Sequence, residues 1–212
     1  MLDRPRLALP ESTAFPMAEF KSLKGSLLVA APGLLDPNFA RSVVFLADHS
    51  PKGAFGLVLN RPADMKIADI WAALSSDPCS CSATAFVGGP VQKGAVLLLH
   101  GHPELAPLAE PVIPGVFLGS EVELLGELLK LESLARGDPS RPAARFRVFC
   151  GYAGWAAGQL DGEMKAGGWL TCAASAEHVF STPPEQLWGQ AMRSLGGIYG
   201  FFALMPRHPE MN

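Results

Sequence analysis

The chain has 212 residues, 49% hydrophobic and 17% charged, with 17 basic against 20 acidic residues and a net charge of −3. That balance leaves no broad basic face for nucleic acid, and apolar runs such as Leu27–Ala31 and Ala95–Leu99 are strand-sized, far short of the ~18–20 residues of a membrane span. One globular domain with a large core is expected, since two would each be small.

Residues 1–19 read as a mobile arm, because Pro5, Pro10 and Pro16 among isolated charges offer no periodicity to pack. They also lack the unbroken apolar centre of a signal peptide, so a cytoplasmic chain is expected. The domain is taken as 20–212. Gly25–Ala31 is a first strand, stopped by Pro32–Gly33, and Asp36–Pro37–Asn38 is a turn that uses the local hydrogen bonding of Asp and Asn. Ser42–Ala47 and Gly53–Asn60 form an antiparallel hairpin across the turn-forming link DHSPKG. Ile67, Ile70, Trp71 and Leu74 fall on one face of a short helix. Thr84–Val87 and Ala95–His100 suggest a second strand pair about a glycine turn, and Val116–Leu118 a short strand. Ser120–Glu123 (SEVE) reads as a capping box opening a helix whose stripe is Leu124, Leu125, Leu128, Leu131 and Leu134, with Gly137 as its C-terminal cap.

The central stretch is Arg147–Leu170. Phe146, Val148 and Cys150 alternate with Arg145 and Arg147 as a half-buried strand, after which Gly151, Gly154 and Gly158 predict a turn holding Tyr152 and Trp155. A short helix follows from Gln159, with Leu160 and Met164 on one face and Gln159 and Glu163 on the next. Trp169–Ala173 is a strand; Thr182–Glu185 repeats the capping-box pattern for a helix to about Ser194 with Leu187, Trp188, Met192 and Leu195 inward; Gly196–Gly197 stops it, and Tyr199–Leu204 closes as a strand. Paired strands with single helices, and no βα alternation, predict an α+β fold: a single compact domain with a mixed, largely antiparallel sheet and a few packed helices.

Four cysteines fit a reducing compartment, with Cys150 and Cys172 as small hydrophobes on strands and Cys79–Ser80–Cys81 in a loop; paired CxxC zinc spacing is absent. His100–Gly101–His102 is half of a zinc site, with Glu104 the nearest third ligand, and is more simply a polar strand end. No metal or cofactor is expected. Arg136, Arg141, Arg145 and Arg147 are the one basic concentration, partly in a proline loop.

Three blocks, Gly25–Pro62 (GSLLVAAPGLLDPNFARSVVFLADHSPKGAFGLVLNRP), Phe86–His100 (FVGGPVQKGAVLLLH) and Phe146–Leu170 (FRVFCGYAGWAAGQLDGEMKAGGWL), resemble the signature blocks of the YqgE/AlgH family of bacterial proteins in order and spacing. The resemblance implies a compact α+β fold with a mixed sheet, a cytosolic location and no settled biochemical activity. The family's frequent label, transcriptional regulator, rests on regulatory effects of a member and implies no DNA-binding motif. Asp161 stands where many relatives carry Glu, and Gly167–Gly168 where a more polar pair is common, which alters the reach of that corner.

The candidate site combines Arg41, His49 and Asn60 with Tyr152, Trp155, Gln159, Asp161 and Glu163. The preferred reading is a non-catalytic binding or regulatory protein whose glycine-aromatic corner receives a protein partner or small ligand. Two alternatives stand beside it: a hydrolase or other enzyme using His49 with Asp161 or Glu163 as acid and base, and direct DNA binding through the arginine cluster. GxSxG, GxxxxGK[ST] and helix-turn-helix patterns are all missing.

Overall fold

A computed structural model describes residues 20–138, 140–141 and 143–204; the arm expected over 1–19 lies outside them. In chain order the elements are β1 (Ser26–Ala30), β2 (Val43–Ser50), β3 (Gly53–Val58), β4 (Pro62–Lys66), α1 (Ile67–Leu74), β5 (Thr84–Val87), β6 (Val91–His100), a 3-10 turn (Pro103–Leu108), β7 (Glu110–Ile113), β8 (Val116–Gly119), α2 (Val122–Gly137), β9 (Phe146–Ala156), α3 (Gln159–Lys165), β10 (Trp169–Ala173), α4 (Ala176–Phe180), α5 (Pro184–Leu195) and α6 (Tyr199–Phe202).

The strands join in the order β10-β1-β2-β3-β9-β6-β8-β7, with β5 on β9 and β4 on β5; every pairing is antiparallel except β5 with β9. The fold is the expected α+β architecture with a mixed, largely antiparallel sheet. Both faces are covered. Leu27, Val29, Val43, Phe45, Leu57 and Leu59 face one side with Leu187, Trp188 and Met192 of α5. Leu28, Ala30, Val44, Leu46 and Val58 alternate to the other side, under Leu160 of α3. Farther along, α1 and α2 cover Leu98 and Val148 through Ile67, Trp71, Leu124 and Leu128.

The strand β9 departs most from its expectation. Instead of turning at Gly151 it continues through Tyr152 and Trp155 to Ala156 and changes partner on the way: Phe149 and Cys150 pair with β5, Ala153–Ala156 with β3. Gly151, with its positive φ of 70, lies where the partner changes. For the same reason β5 and β6 do not pair with each other. The Gly88 N–H donates to the Cys150 carbonyl at 2.9 Å, and a Cβ on Gly88 or Gly89 would collide with the backbone of Gly151 or Tyr152. The glycine pair carries the chain close against β9 rather than around a hairpin.

Smaller corrections concern helix ends and the faces of single residues. The Ser120 and Thr182 capping boxes do not form; α2 starts with Glu121 as N-cap and α5 with Pro183, neither with a side-chain cap, and Thr182 Oγ1 donates to the Glu177 carbonyl at 3.3 Å. Gly137 is the last residue of α2, capped by Asp138. Leu74 and Leu134 are exposed, and Leu129 completes the buried stripe of α2. After Gly196, Tyr199–Phe202 coils into α6 instead of a strand, with local bonds such as Phe201 N–H to the Ile198 carbonyl. Arg147, expected on the polar side of its strand, is buried: its guanidinium donates to the Leu59 and Thr182 carbonyls and lies 4.7 Å over Phe86, and burial pushes its pKa down to about 10. Among the described residues no helix is long and apolar enough to cross a membrane.

Candidate functional site

The helix α3 is placed by Gly158, whose φ of 71 ends β9 and reverses the chain onto the sheet face behind it. Leu160 then buries among Ala153, Trp155 and Trp169. Gln159 and Glu163, one turn apart, lie along the neighbouring stripe as expected, and their bonds are directional. The Ala156 N–H donates to Gln159 Oε1 at 3.0 Å, and Gln159 Nε2 donates to Glu163 Oε1 at 2.9 Å. The other carboxylate oxygen, Oε2, accepts two indole N–H groups, Trp155 Nε1 at 2.9 Å and Trp169 Nε1 at 2.8 Å. Three N–H donors therefore fix one carboxylate, which provides in a half-buried setting the solvation that water would otherwise give.

The two indoles cross edge to face with centroids 5.9 Å apart, and Phe39 stacks on Trp155 at 6.1 Å and meets Trp169 edge-on at 5.4 Å. Between this three-ring cluster, the 33–39 turn and Gly167–Gly168 is a cleft of about 550 Å³, within the usual range for ligand sites. Among the described residues its walls carry two carboxylates, Asp36 and Glu163, and no basic side chain.

The structure does not bring the whole candidate set together. Trp155, Gln159 and Glu163 converge in the cleft. Tyr152 does not: an odd spacing of three along β9 puts it on the opposite face, packed against Phe55 with centroids 5.0 Å apart. His49 shares the sheet face of Trp155, through the register His49–Ala54–Trp155, yet it is only 4% exposed. Its Nδ1 accepts the Leu23 N–H at 3.0 Å, and Phe20 packs on its ring at 4.8 Å. A ring that accepts at Nδ1 carries its proton on Nε2. That atom faces Asp161 Oδ1 at 3.8 Å, beyond hydrogen-bond reach, and Asp161 is the only exposed partner of the two.

Arg41 and Asn60 belong to a different place. The Asn60 side chain clamps the base of the hairpin, accepting the Val43 N–H at 2.8 Å and donating to the Arg41 carbonyl at 2.9 Å. Arg41 has the left-handed φ of 55, and its guanidinium stacks 4.2 Å over Trp188 of α5, on the sheet face opposite α3. Around it lies a second cleft, about 480 Å³, to which Arg61, Arg193 and Glu185 also contribute. Arg61 ties down the Asp36 turn, donating to the Pro37 and Ala40 carbonyls at 3.0 and 3.2 Å; burial lowers its pKa, partly offset by Asp36.

His100 and His102 stack with centroids 6.4 Å apart. His102 bonds to Glu104 Oε1 at 3.1 Å and accepts the Arg145 N–H at 3.2 Å, and His100 Nδ1 accepts the His102 N–H at 3.3 Å, so both rings serve local bonds. Among the described residues no three His, Cys, Asp or Glu side chains are grouped to hold a metal ion.

Sequence reasoning missed Phe39, Trp169 and Asp36 in the first cleft and Arg61, Trp188 and Arg193 in the second. A usable signal existed for Trp169, since a buried indole N–H needs an acceptor and Glu163 was the nearest carboxylate in the chain. For Trp188 and Arg193 there was none, because α5 joins the cleft from far along the sequence.

Residues 27–200 match the AlgH-like protein family. A UPF0301 protein of Chlorobaculum tepidum is 38% identical over 195 residues, covering 92% of this chain and 98% of the relative. A UPF0301 protein of Streptomyces coelicolor is 37% identical over 204 residues, covering 92% and 98%. Among solved structures, the AlgH protein of Pseudomonas aeruginosa superposes with a TM-score of 0.65 at 29% identity, covering 92% of this chain and all 100% of that one. A Corynebacterium diphtheriae protein shares the fold with a TM-score of 0.68 at 22% identity, covering 89% and 95%.

Proposed function

The chain belongs to the AlgH-like family, a family of unsettled function, and from that premise we propose that it is a non-catalytic cytoplasmic binding protein with a regulatory role. Its ligand site is the cleft over Trp155, Trp169 and Phe39. The observation that carries this reading is the Glu163 carboxylate, fixed by two indole N–H groups and one amide at the wall of an aromatic cavity. A carboxylate so held cannot swing to take up or deliver a proton without abandoning buried donors, which suits recognition rather than general acid–base work. With aromatic walls and, among the described residues, two acids and no cation, the cleft suits a ligand that presents an amine or guanidinium, either a small molecule or the basic side chain of a partner.

Support for the enzymatic alternative weakens at His49, whose one acceptor nitrogen is occupied by the Leu23 amide inside the core. The DNA-binding alternative loses Arg147 from its cluster, since that guanidinium is turned inward onto two carbonyls.

The test is co-purification from native cytosol with wild-type protein beside Gln159→Ala and Asp36→Asn. Both residues are exposed, so the variants keep the fold. Loss of the same bound species from both variants is expected; retention of every species by both rejects the cleft. Trp155 is unsuitable as the probe, because at 6% exposure its truncation empties core volume at a cost of about 3–5 kcal/mol.

A further inference from the structure

We propose that Cys79 and Cys81 form a thiol–disulfide site: they exchange with a small-molecule disulfide of the glutathione type and close into a disulfide with each other, and the closing alters the cavity between their loop and α2. Neither residue borders the cleft over Trp155, and both are free thiols in the structure.

Spacing and local bonds bring the two sulfurs together. Two residues of chain reach at most about 7 Å between Cα atoms, and bridged cysteines stand about 4.4–6.8 Å apart, so a Cys-x-Cys pair can close wherever its backbone is not fully drawn out. Here the chain is bent. The Cys81 N–H donates to Cys79 Sγ at 3.4 Å, which folds the first sulfur back onto the residue that carries the second. The loop is also gripped from outside the pair. Ahead of it the Trp71 indole N–H donates to the Asp77 carbonyl at 2.9 Å. Between the cysteines, Ser80 accepts Arg136 Nη1 on its carbonyl at 2.7 Å and on its hydroxyl at 3.2 Å. The rest of that guanidinium is bound to Glu132, one turn back on α2.

The thiols differ in access, and the difference sets their roles. Cys79 is half-buried and borders the cavity of about 470 Å³ between this loop, Trp71 and α2, where a small disulfide can meet it. Cys81 is 3% exposed and belongs to the apolar cluster of Trp71, Leu124, Leu125 and Leu128. Burial holds its thiol above the ordinary pKa, with the Ala83 amide acting the other way, so it is a poor nucleophile toward anything in solution. It has only to meet Cys79.

The exchange has two steps. The Cys79 thiolate attacks one sulfur of the small disulfide, forming a mixed disulfide and releasing one small thiolate, which takes up a proton. The Cys81 thiolate then attacks the Cys79 sulfur and releases the other small thiolate, which is protonated in turn. The protein pair gives up two electrons and two protons; the small disulfide accepts them and leaves as two thiols. Closing the bond draws the Cys81 sulfur out of its cluster toward Cys79 and disturbs the loop held by Arg136 and Trp71. A disulfide of this kind in a reducing cytoplasm is transient and reports redox state rather than bracing the fold.

The experiment equilibrates the full chain with glutathione at graded ratios of its oxidised to its reduced form, followed by acid quenching, alkylation in denaturant and peptide mapping by mass spectrometry. Cys79 and Cys81 should lose alkylation together, their peptide lighter by two hydrogens and free of glutathione, while Cys150 and Cys172 remain alkylated. Reduced glutathione should restore both thiols. In ¹⁵N-labelled protein the Trp71 indole signal should shift at the same midpoint, while those of Trp155 and Trp169, bound to Glu163, and of Trp188, bound to the Ala30 carbonyl, should stay. Cys81→Ala removes the second sulfur without burying a hydroxyl and should stop the exchange at glutathione held on Cys79. Cys79→Ser, at a half-buried loop position, should leave Cys81 open to alkylation at every ratio. Glutathione retained on wild-type Cys79, both thiols alkylated as before in the fully oxidised mixture, or loss of Cys81 alkylation in Cys79→Ser would each overturn the assignment. A pair that closes with the Trp71 signal unmoved would overturn its coupling to the cavity.

Discussion

At the scale of single residues, Glu163 and His100 show how burial turns a common side chain into a specific one. Glu163 is bound by two indole N–H groups, so Glu163→Ala leaves both without an acceptor. At ~1–3 kcal/mol for each unsatisfied buried donor, partly relieved by water entering the cleft, the expected loss is roughly 2–4 kcal/mol in urea unfolding. Glu163→Gln keeps one oxygen for the indoles but opposes its amide to that of Gln159, and about half that loss is expected. His100 has 0% exposure, and its Nε2 has no hydrogen-bond partner. Burial, then the neighbouring His102, lowers its pKa below the ordinary 6.5, with Glu104 acting weakly the other way. The unfolded chain therefore takes up this proton first as the pH falls. Stability is full above about 6.5 and declines as the pH drops toward the lowered value. Unfolding measured across that window should show an acid limb that flattens in His100→Gln. The Gln159–Glu163 pair was legible from its spacing of four, whereas its indole partners were not, since hydrogen bonds between distant segments leave no local period.

At the scale of elements, β9 explains why the strand-by-strand reading succeeded for hairpins and failed for crossings. The β2–β3 hairpin is local: a short turn between two alternating runs fixes it. The β5–β9 parallel pair is not local, and its condition is the backbone contact of Gly88 and Gly89 with Gly151 and Tyr152. Those glycines looked like turn residues because close approach and turning favour the same residue. Gly88→Ala puts a Cβ against the Gly151 carbonyl and 3.0 Å from Leu57 Cδ2. A loss of roughly 1–3 kcal/mol or more in thermal unfolding is expected. Gly94→Ala, where a Cβ meets nothing within 4 Å, should be nearly neutral and serves as the control. The turn from Gly33 to Arg41 has a second importance, because Gly33, Leu34, Asp36 and Phe39 border the acidic cleft while Ala40 and Arg41 border the basic one.

For the whole molecule, the sheet is a partition with an acidic aromatic cleft on the α3 side and an arginine cleft on the α5 side. The α+β class followed from strand pairing and single helices, and the core from the alternation of Leu27–Ala30 and Val43–Leu46 between faces. The candidate constellation combines residues of the first and third sequence blocks, and the partition separates Arg41, Asn60 and Tyr152 from Trp155, Gln159 and Glu163 by sending them to opposite faces. The central claim is that the α3 side is where this protein binds. It is tested most directly by the indole spectrum of the ¹⁵N-labelled full chain as native cytosol is added, first its small-molecule fraction and then its protein fraction. The account predicts that the Trp155 and Trp169 signals, which share Glu163, move together with one of the fractions, that Trp71 stays, and that Gln159→Ala suppresses the movement. Trp155 and Trp169 signals unmoved by either fraction, or moved equally in the Gln159→Ala protein, would contradict it.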